Sequence, residues 1–84
     1  MPFFVYMLKT IDKKKPKTYV GYTIDIQKRL RLHNSNKGAK STKGYKWKVI
    51  FKKKFKSKNK AMSYEYLLKN DRKHRLSILK KNDC

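Results

Sequence analysis

The chain has 84 residues and a mass of 10.2 kDa. A domain of this length buries only about 60% of the surface its unfolded form exposes, so its core is thin. That excludes a second catalytic domain, a Rossmann unit with its partner, or a TIM barrel, and predicts one domain over residues 1–84. Lys and Arg total 25 against 5 acidic residues, a formal charge of +20. Self-repulsion on that scale calls for a polyanion, with nucleic acid as the first candidate and an anionic membrane surface as the second. Of the 25 cations 21 are lysines, which an AT-rich genome would favour. The same bias would enrich glutamate, yet Glu65 is the only one. The single cysteine, Cys84, excludes an internal disulfide and any cysteine-rich zinc site. The longest apolar run, Phe3 to Leu8, is far shorter than the roughly 20 residues of a membrane span. It also lacks the basic lead and cleavage site of a secretion signal. A soluble, cytoplasmic protein without a membrane partner is expected.

Phe3 to Leu8 reads as a strand, apolar on both faces and therefore central in its sheet. Asp12 to Pro16 is a turn, and Lys17 to Thr23, rich in β-branched and aromatic residues, is a second strand that forms a hairpin with the first. The period then changes. Thr23 and Asp25 are both suitable N-caps, and Ile26, Leu30 and His33 recur at helical spacing, which predicts a helix over 24–34. Residues 34–44 carry Ser, Asn, Gly and Lys without an apolar pattern and form a loop. From Trp47 the odd positions Trp47, Val49, Phe51 and Phe55 alternate with lysines, predicting a strand with one core face and one basic face. Ser57 caps a second helix that runs to about Asn70, and Arg72 to Lys81 forms a third. The order β-β-α-β-α-α gives an α+β domain with a small, mainly antiparallel three-stranded sheet flanked by helices.

No Gly-rich phosphate loop, nucleophile turn or pair of histidines at metal spacing is present, which argues against a classical hydrolase. Two helical positions are geometrically unusual. With Ile26 at 0° on a wheel, Leu30 falls at about 40°, His33 at about −20° and Arg29 at about −60°. Arg29 and His33 thus lie on or beside the face that packs on the sheet. Arg29 either snorkels along the core edge or serves a site, and His33 is either a satisfied semi-buried imidazole or functional. With Ala61 at 0°, Glu65 falls at about 40°, on the apolar stripe of its helix. A carboxylate there needs a partner, either one of the many lysines or a hard cation such as Mg²⁺. Tyr6 and Tyr19 fall in the two hairpin strands, where they are core aromatics or converging site residues.

Together these residues resemble the GIY-YIG nuclease family, in particular its small standalone members. The two defining triplets stand here as Val5-Tyr6-Met7 and Tyr19-Val20-Gly21, with Val5, Met7 and Val20 departing from the family's name pattern. The block Tyr22 to Asn34 is similar to the family's first helix, with its arginine at Arg29 and its histidine at His33. Ala61-Met62-Ser63-Tyr64-Glu65 is similar to the helix that supplies the metal-binding glutamate. Asn70 is the nearest residue to the family's C-terminal asparagine. The resemblance spans roughly residues 3 to 75 and implies a cleft formed by the two hairpin strands, the first helix and the Glu65 helix.

It further implies metal-dependent hydrolysis of DNA phosphodiesters at one Mg²⁺ or Mn²⁺ ion held by Glu65. Arg29 would contact the phosphate, Tyr6 would act as base with Tyr19 positioning (or the reverse), His33 would orient a reacting group, and Gly21 would allow close approach. A phenol titrates near 10, so a tyrosine base needs nearby cations to lower that value. Lys37, Lys40, Lys43, Lys46 and Lys48 are expected to grip the DNA backbone, with Lys52 to Lys54 extending the track. Such contacts give affinity but little sequence information. The expected partner is branched, nicked or damaged DNA, met by a monomer or weak homodimer. The alternative is a non-catalytic basic nucleic-acid-binding module.

Overall fold

The computed structural model describes residues 2–11, 16–38 and 42–82. Strands β1 (Phe3–Thr10) and β2 (Thr18–Thr23) precede helix α1 (Ile26–Asn34), and strand β3 (Trp47–Phe55) precedes helices α2 (Lys58–Asn70) and α3 (Arg72–Asn82). The strands form one antiparallel sheet in the order β2-β1-β3, so the α+β fold is the expected one. Its centre is β1, as the two-sided apolar run requires, and Val5, Tyr6, Met7 and Leu8 are all buried. The strand continues two residues past Leu8. There the hydroxyl of the buried Thr10 accepts the Lys17 N–H at 2.9 Å, and the Ile11 N–H donates to the Lys46 carbonyl at 2.9 Å. Of the expected turn only Pro16 lies within the described residues, as does no part of the Cys84 end.

Helix α1 starts two residues later than its apolar spacing suggests, because both polar candidates are used before it. The Thr23 hydroxyl accepts the Asp25 N–H at 3.2 Å, and the extended Asp25, the true N-cap, accepts the Lys28 N–H at 3.1 Å. Ile24 is left exposed outside the helix. At α2 the expectation holds: Ser57 is the N-cap and accepts the Lys60 N–H at 3.2 Å. Asp71 then separates α2 from α3, accepting the His74 N–H through its carboxylate at 3.0 Å.

One expectation about β3 is corrected. Met7 faces Phe51 and Leu8 faces Val49, so Ile50 is an extra residue in a β-bulge. The bulge moves the odd positions from one side of the sheet to the other. Trp47 and Val49 join Tyr6, Leu8, Ile26 and Leu30 under α1, whereas Ile50, Phe51 and Phe55 join Val5, Met7, Val20, Ala61 and Leu68 under α2 and α3. The sheet is therefore covered on both faces, with a thin core on each. Among the described residues no helix is long and apolar enough to cross a membrane.

Candidate active site

Tyr6 of β1 and Gly21 of β2 are register partners in the hairpin. A Cβ built on Gly21 would stand 2.6 Å from the Tyr6 hydroxyl oxygen and 2.8 Å from its Cζ, so the phenol lies directly on the β2 backbone. Tyr6 is only 1% exposed. Its hydroxyl lies 3.0 Å from Nε2 of His33, which α1 presents from its buried side. The other imidazole nitrogen, Nδ1, lies 3.0 Å from the buried Thr42 hydroxyl. Thr42 is fixed in turn, since its carbonyl accepts the Trp47 indole N–H at 3.0 Å. A Cβ on Gly38 would fall 2.4 Å from His33 Nδ1, so a second glycine lets the loop close over the ring. The Tyr19 ring completes the cluster, 4.8 Å from His33 and 6.4 Å from Tyr6 between centroids.

Arg29 stands one helical turn before His33 and is half-buried. Its guanidinium acts on the Tyr6 hydroxyl both as a donor and as a charge. Among the described residues its Nε is buried with no hydrogen-bond partner. An orphaned buried donor is rare and costs about 1–3 kcal/mol.

The electrostatics follow from burial. Desolvation raises the Tyr6 hydroxyl above its ordinary value of 10.0, opposed by Arg29 and reinforced by Tyr19 and Glu65. The cation needed to lower a tyrosine is thus present, but burial outweighs it. For His33, burial first and then Arg29 push the imidazole below 6.5 and keep it neutral. Because the folded value is depressed, the neutral ring contributes stability above about pH 6.5 that is lost as pH falls through the folded value. The midpoint of urea unfolding is therefore expected to fall between pH 7 and pH 5.5 in the wild type, and to fall less in His33→Gln. In an NMR titration His33 should titrate below the ordinary histidine value of 6.5; titration at or above that value would show that His33 is not desolvated.

Of the two partners its sequence position allowed, a lysine is the one the structure gives Glu65. Its side chain is 17% exposed and pairs with Lys69 Nζ at 3.0 Å, one turn further along α2. Its charge also raises the Tyr6 hydroxyl, as the smallest of the contributions there. Among the described residues no group of three or more His, Cys, Asp or Glu side chains could hold a metal. A lone carboxylate nevertheless suits a hard dication such as Mg²⁺, which keeps several waters and takes its remaining ligands from phosphate oxygens.

Lysines are less concentrated than their spacing implied. Lys37 and Lys43 are exposed on the loop around His33, and Lys46 is exposed before β3, while Lys40 lies outside the described residues. Lys48 pairs with Lys9 in register, which places it on the α2 face of the sheet, away from Tyr6. Lys52 to Lys54 do not form one track. Lys52 lies opposite Tyr6, but Lys53 points to the other face, with its ammonium 4.8 Å from the Tyr64 ring centre. Asn70 turns back on its own helix, its amide donating to the Tyr66 carbonyl at 2.8 Å.

Two site residues escape the sequence reading, Thr42 and Gly38, because the loop that carries them has no periodicity to place it. Asn34 is a third: its side chain accepts the Trp47 N–H at 2.6 Å and donates to the Trp47 carbonyl at 3.1 Å, tying the end of α1 to the start of β3.

Comparison with known proteins finds relatives over most of the chain. The profile described as the GIY-YIG catalytic domain matches residues 2–79. The chain is 44% identical over 81 residues to the UPF0213 protein YsiG of Lactococcus lactis subsp. lactis, covering 93% of this chain and 75% of that protein. It is 42% identical over 71 residues to a UPF0213 protein of Streptococcus pneumoniae serotype 4, covering 83% and 69%. The solution NMR structure of the UPF0213 protein BH0048 from Bacillus halodurans matches with a TM-score of 0.52 at 33% identity, covering 95% of this chain and 84% of that one.

Proposed function

This chain belongs to the GIY-YIG catalytic-domain family, a nuclease family, and we propose that it is a divalent-metal-dependent endonuclease that hydrolyses DNA phosphodiester bonds with little sequence preference. Its substrates are branched, nicked or damaged DNA in the cytoplasm, and it acts as a monomer or weak homodimer. The observation that carries the reading is the half-buried Arg29, with an unpartnered Nε, set among Tyr6, His33 and Tyr19. A phosphodiester supplies acceptor oxygens to the guanidinium beyond the Tyr6 hydroxyl, and donation strengthens as negative charge grows in the transition state.

Tyr6 serves as the base through His33. A buried phenol does not ionise alone at neutral pH, but His33 is neutral and its Nε2 lies within hydrogen-bonding distance of the hydroxyl. With the Nδ1 proton donated to Thr42, Nε2 has a free lone pair. As the attacking water passes a proton to the Tyr6 oxygen, the Tyr6 proton moves to Nε2, leaving hydroxide, phenol and imidazolium. The charge of the arriving phosphodiester offsets the desolvation and the Arg29 repulsion that keep His33 neutral in the free protein. Tyr19 positions the substrate, and Gly21 allows the phenol its close seat on the backbone. Glu65 would hold a single Mg²⁺ or Mn²⁺, which supplies Lewis-acid polarisation of a non-bridging oxygen. Lys37, Lys43 and Lys46, exposed around the loop, hold the DNA backbone by charge.

The reading is tested with a panel of labelled single-stranded, nicked, flapped and branched DNAs in Mg²⁺ or Mn²⁺. Glu65→Ala is expected to cut at least about 100-fold more slowly while binding DNA within a few-fold of wild type. Cleavage that survives both Glu65→Ala and Arg29→Ala would instead leave a basic nucleic-acid-binding module without an active site.

A further inference from the structure

We propose that Lys69 is an exchangeable counter-ion: it holds Glu65 in the free protein and passes to a DNA phosphate flanking the scissile one when a divalent cation takes the carboxylate. This rests on the endonuclease reading above and adds to it a second phosphate subsite.

The pair is asymmetric. The Glu65 side chain is 17% exposed, whereas Lys69 is 49% exposed, with its ammonium 3.0 Å from Oε1. An i,i+4 pair of this kind is held weakly and exchanges readily. Lys69 also lines a groove of about 250 Å³ together with Thr18, Tyr19, Val20 and Arg75. The groove adjoins the proposed metal ligand, because Lys69, which lines it, stands 3.0 Å from Glu65. Its lining contains two cations, a phenol and a threonine, and no acid, which is the lining of an anion site. The two cations differ in freedom. Arg75 is fixed at the end of α2, where its Nη1 donates to the carbonyls of Leu68, at 2.8 Å, and Lys69. Among the described residues the Lys69 ammonium is paired with Glu65, on a flexible four-carbon stem. A divalent ion at Glu65 repels the ammonium, and the nearest acceptor of the opposite sign is then the backbone phosphate of bound DNA.

The alternative is an ordinary helix-surface pair that only steadies α2. The two readings differ in sign as well as size. Lys69→Met keeps the aliphatic stem and removes the charge; Lys60→Met, on the opposite flank of the same helix, controls for the change in net charge. Mn²⁺ binding to the free protein is followed by electron paramagnetic resonance, and DNA binding by fluorescence anisotropy with a nicked duplex in Ca²⁺, a divalent cation that occupies the carboxylate. Lys69→Met is expected to bind Mn²⁺ roughly three- to tenfold tighter. The same variant is expected to bind DNA roughly three- to tenfold more weakly, with a log–log salt slope shallower by about 0.9. Lys60→Met is expected to change neither affinity by more than about twofold. Opposite shifts in the two affinities support the counter-ion role. An unchanged Mn²⁺ affinity in Lys69→Met, with binding still lost in Glu65→Gln, overturns the exchange and leaves the metal site standing. Mn²⁺ binding that Glu65→Gln does not abolish overturns the metal assignment itself.

Discussion

Arg29→Met is expected to slow strand cleavage by roughly 10²–10³-fold, the usual cost of removing one donor that stabilises transition-state charge. The same substitution should leave the fold at least as stable as wild type, and up to about 1 kcal/mol more stable. Methionine replaces the arginine stem in shape and follows the same path along the core edge. It removes the Nε donor, which is buried without a partner, and takes one positive charge from a chain at +20. Arg29→Lys keeps the charge but loses the planar fork, so it should recover only a small part of the rate. Cleavage assays beside urea unfolding of the three proteins check both halves. If Arg29→Met lowers stability by more than about 2 kcal/mol and keeps its rate, Arg29 is a packing residue and the proposed site has lost its phosphate contact.

Gly21→Ala should destabilise the protein by about 1–3 kcal/mol, the range for a methyl forced into a filled space. For a domain of this size that is a fall in Tm of roughly 4–8 °C for each kcal/mol. The added methyl would meet the Tyr6 hydroxyl at 2.6 Å, Cζ at 2.8 Å and the Tyr19 ring at 3.2 Å. The phenol has nowhere to retreat, since Tyr6 is almost wholly buried and its hydroxyl is bonded to His33. Movement of the ring breaks that bond, so cleavage should fall further than stability does. Tyr6→Phe removes the closest of the three contacts, and Gly21→Ala combined with Tyr6→Phe should lose less stability than the sum of the two single changes. Thermal unfolding of the four proteins measures the coupling; strict additivity would mean that the methyl is accommodated without touching the phenol.

Local chemistry made much of the fold legible from the residues. Asp25 and Ser57 announce their helices because a short oxygen-bearing side chain before an apolar period has few other uses. The six apolar residues of β1 demand a strand covered on both faces, and the layers beneath α1 and beneath α2 and α3 supply that cover. The inward positions of Arg29, His33 and Glu65 follow from helical spacing alone. What the residues could not convey was set by distant backbone. The odd apolar positions Trp47, Val49, Phe51 and Phe55 in β3 suggest a single core face, and only the pairing with β1 reveals that Ile50 is an extra residue. Thr42 and Gly38 matter because a loop without a pattern folds back on His33. The pairing of Lys69 with Glu65 was one of many lysine pairings the composition permitted.

The bulge at Ile50 also governs how the protein comes apart. By changing sides midway, β3 contributes Trp47 to the layer beneath α1 and Phe51 to the layer beneath α2, while β1 serves both through alternate residues. Neither layer can melt without dragging away strands that the other relies on, so the two thin hydrophobic layers behave as a single cooperative unit. A chain with so little interior and so much self-repulsion would otherwise be prone to partial opening. The shared strands confine such opening to the ends, and Tyr6, seated mid-way along the shared central strand, is lost only when everything is.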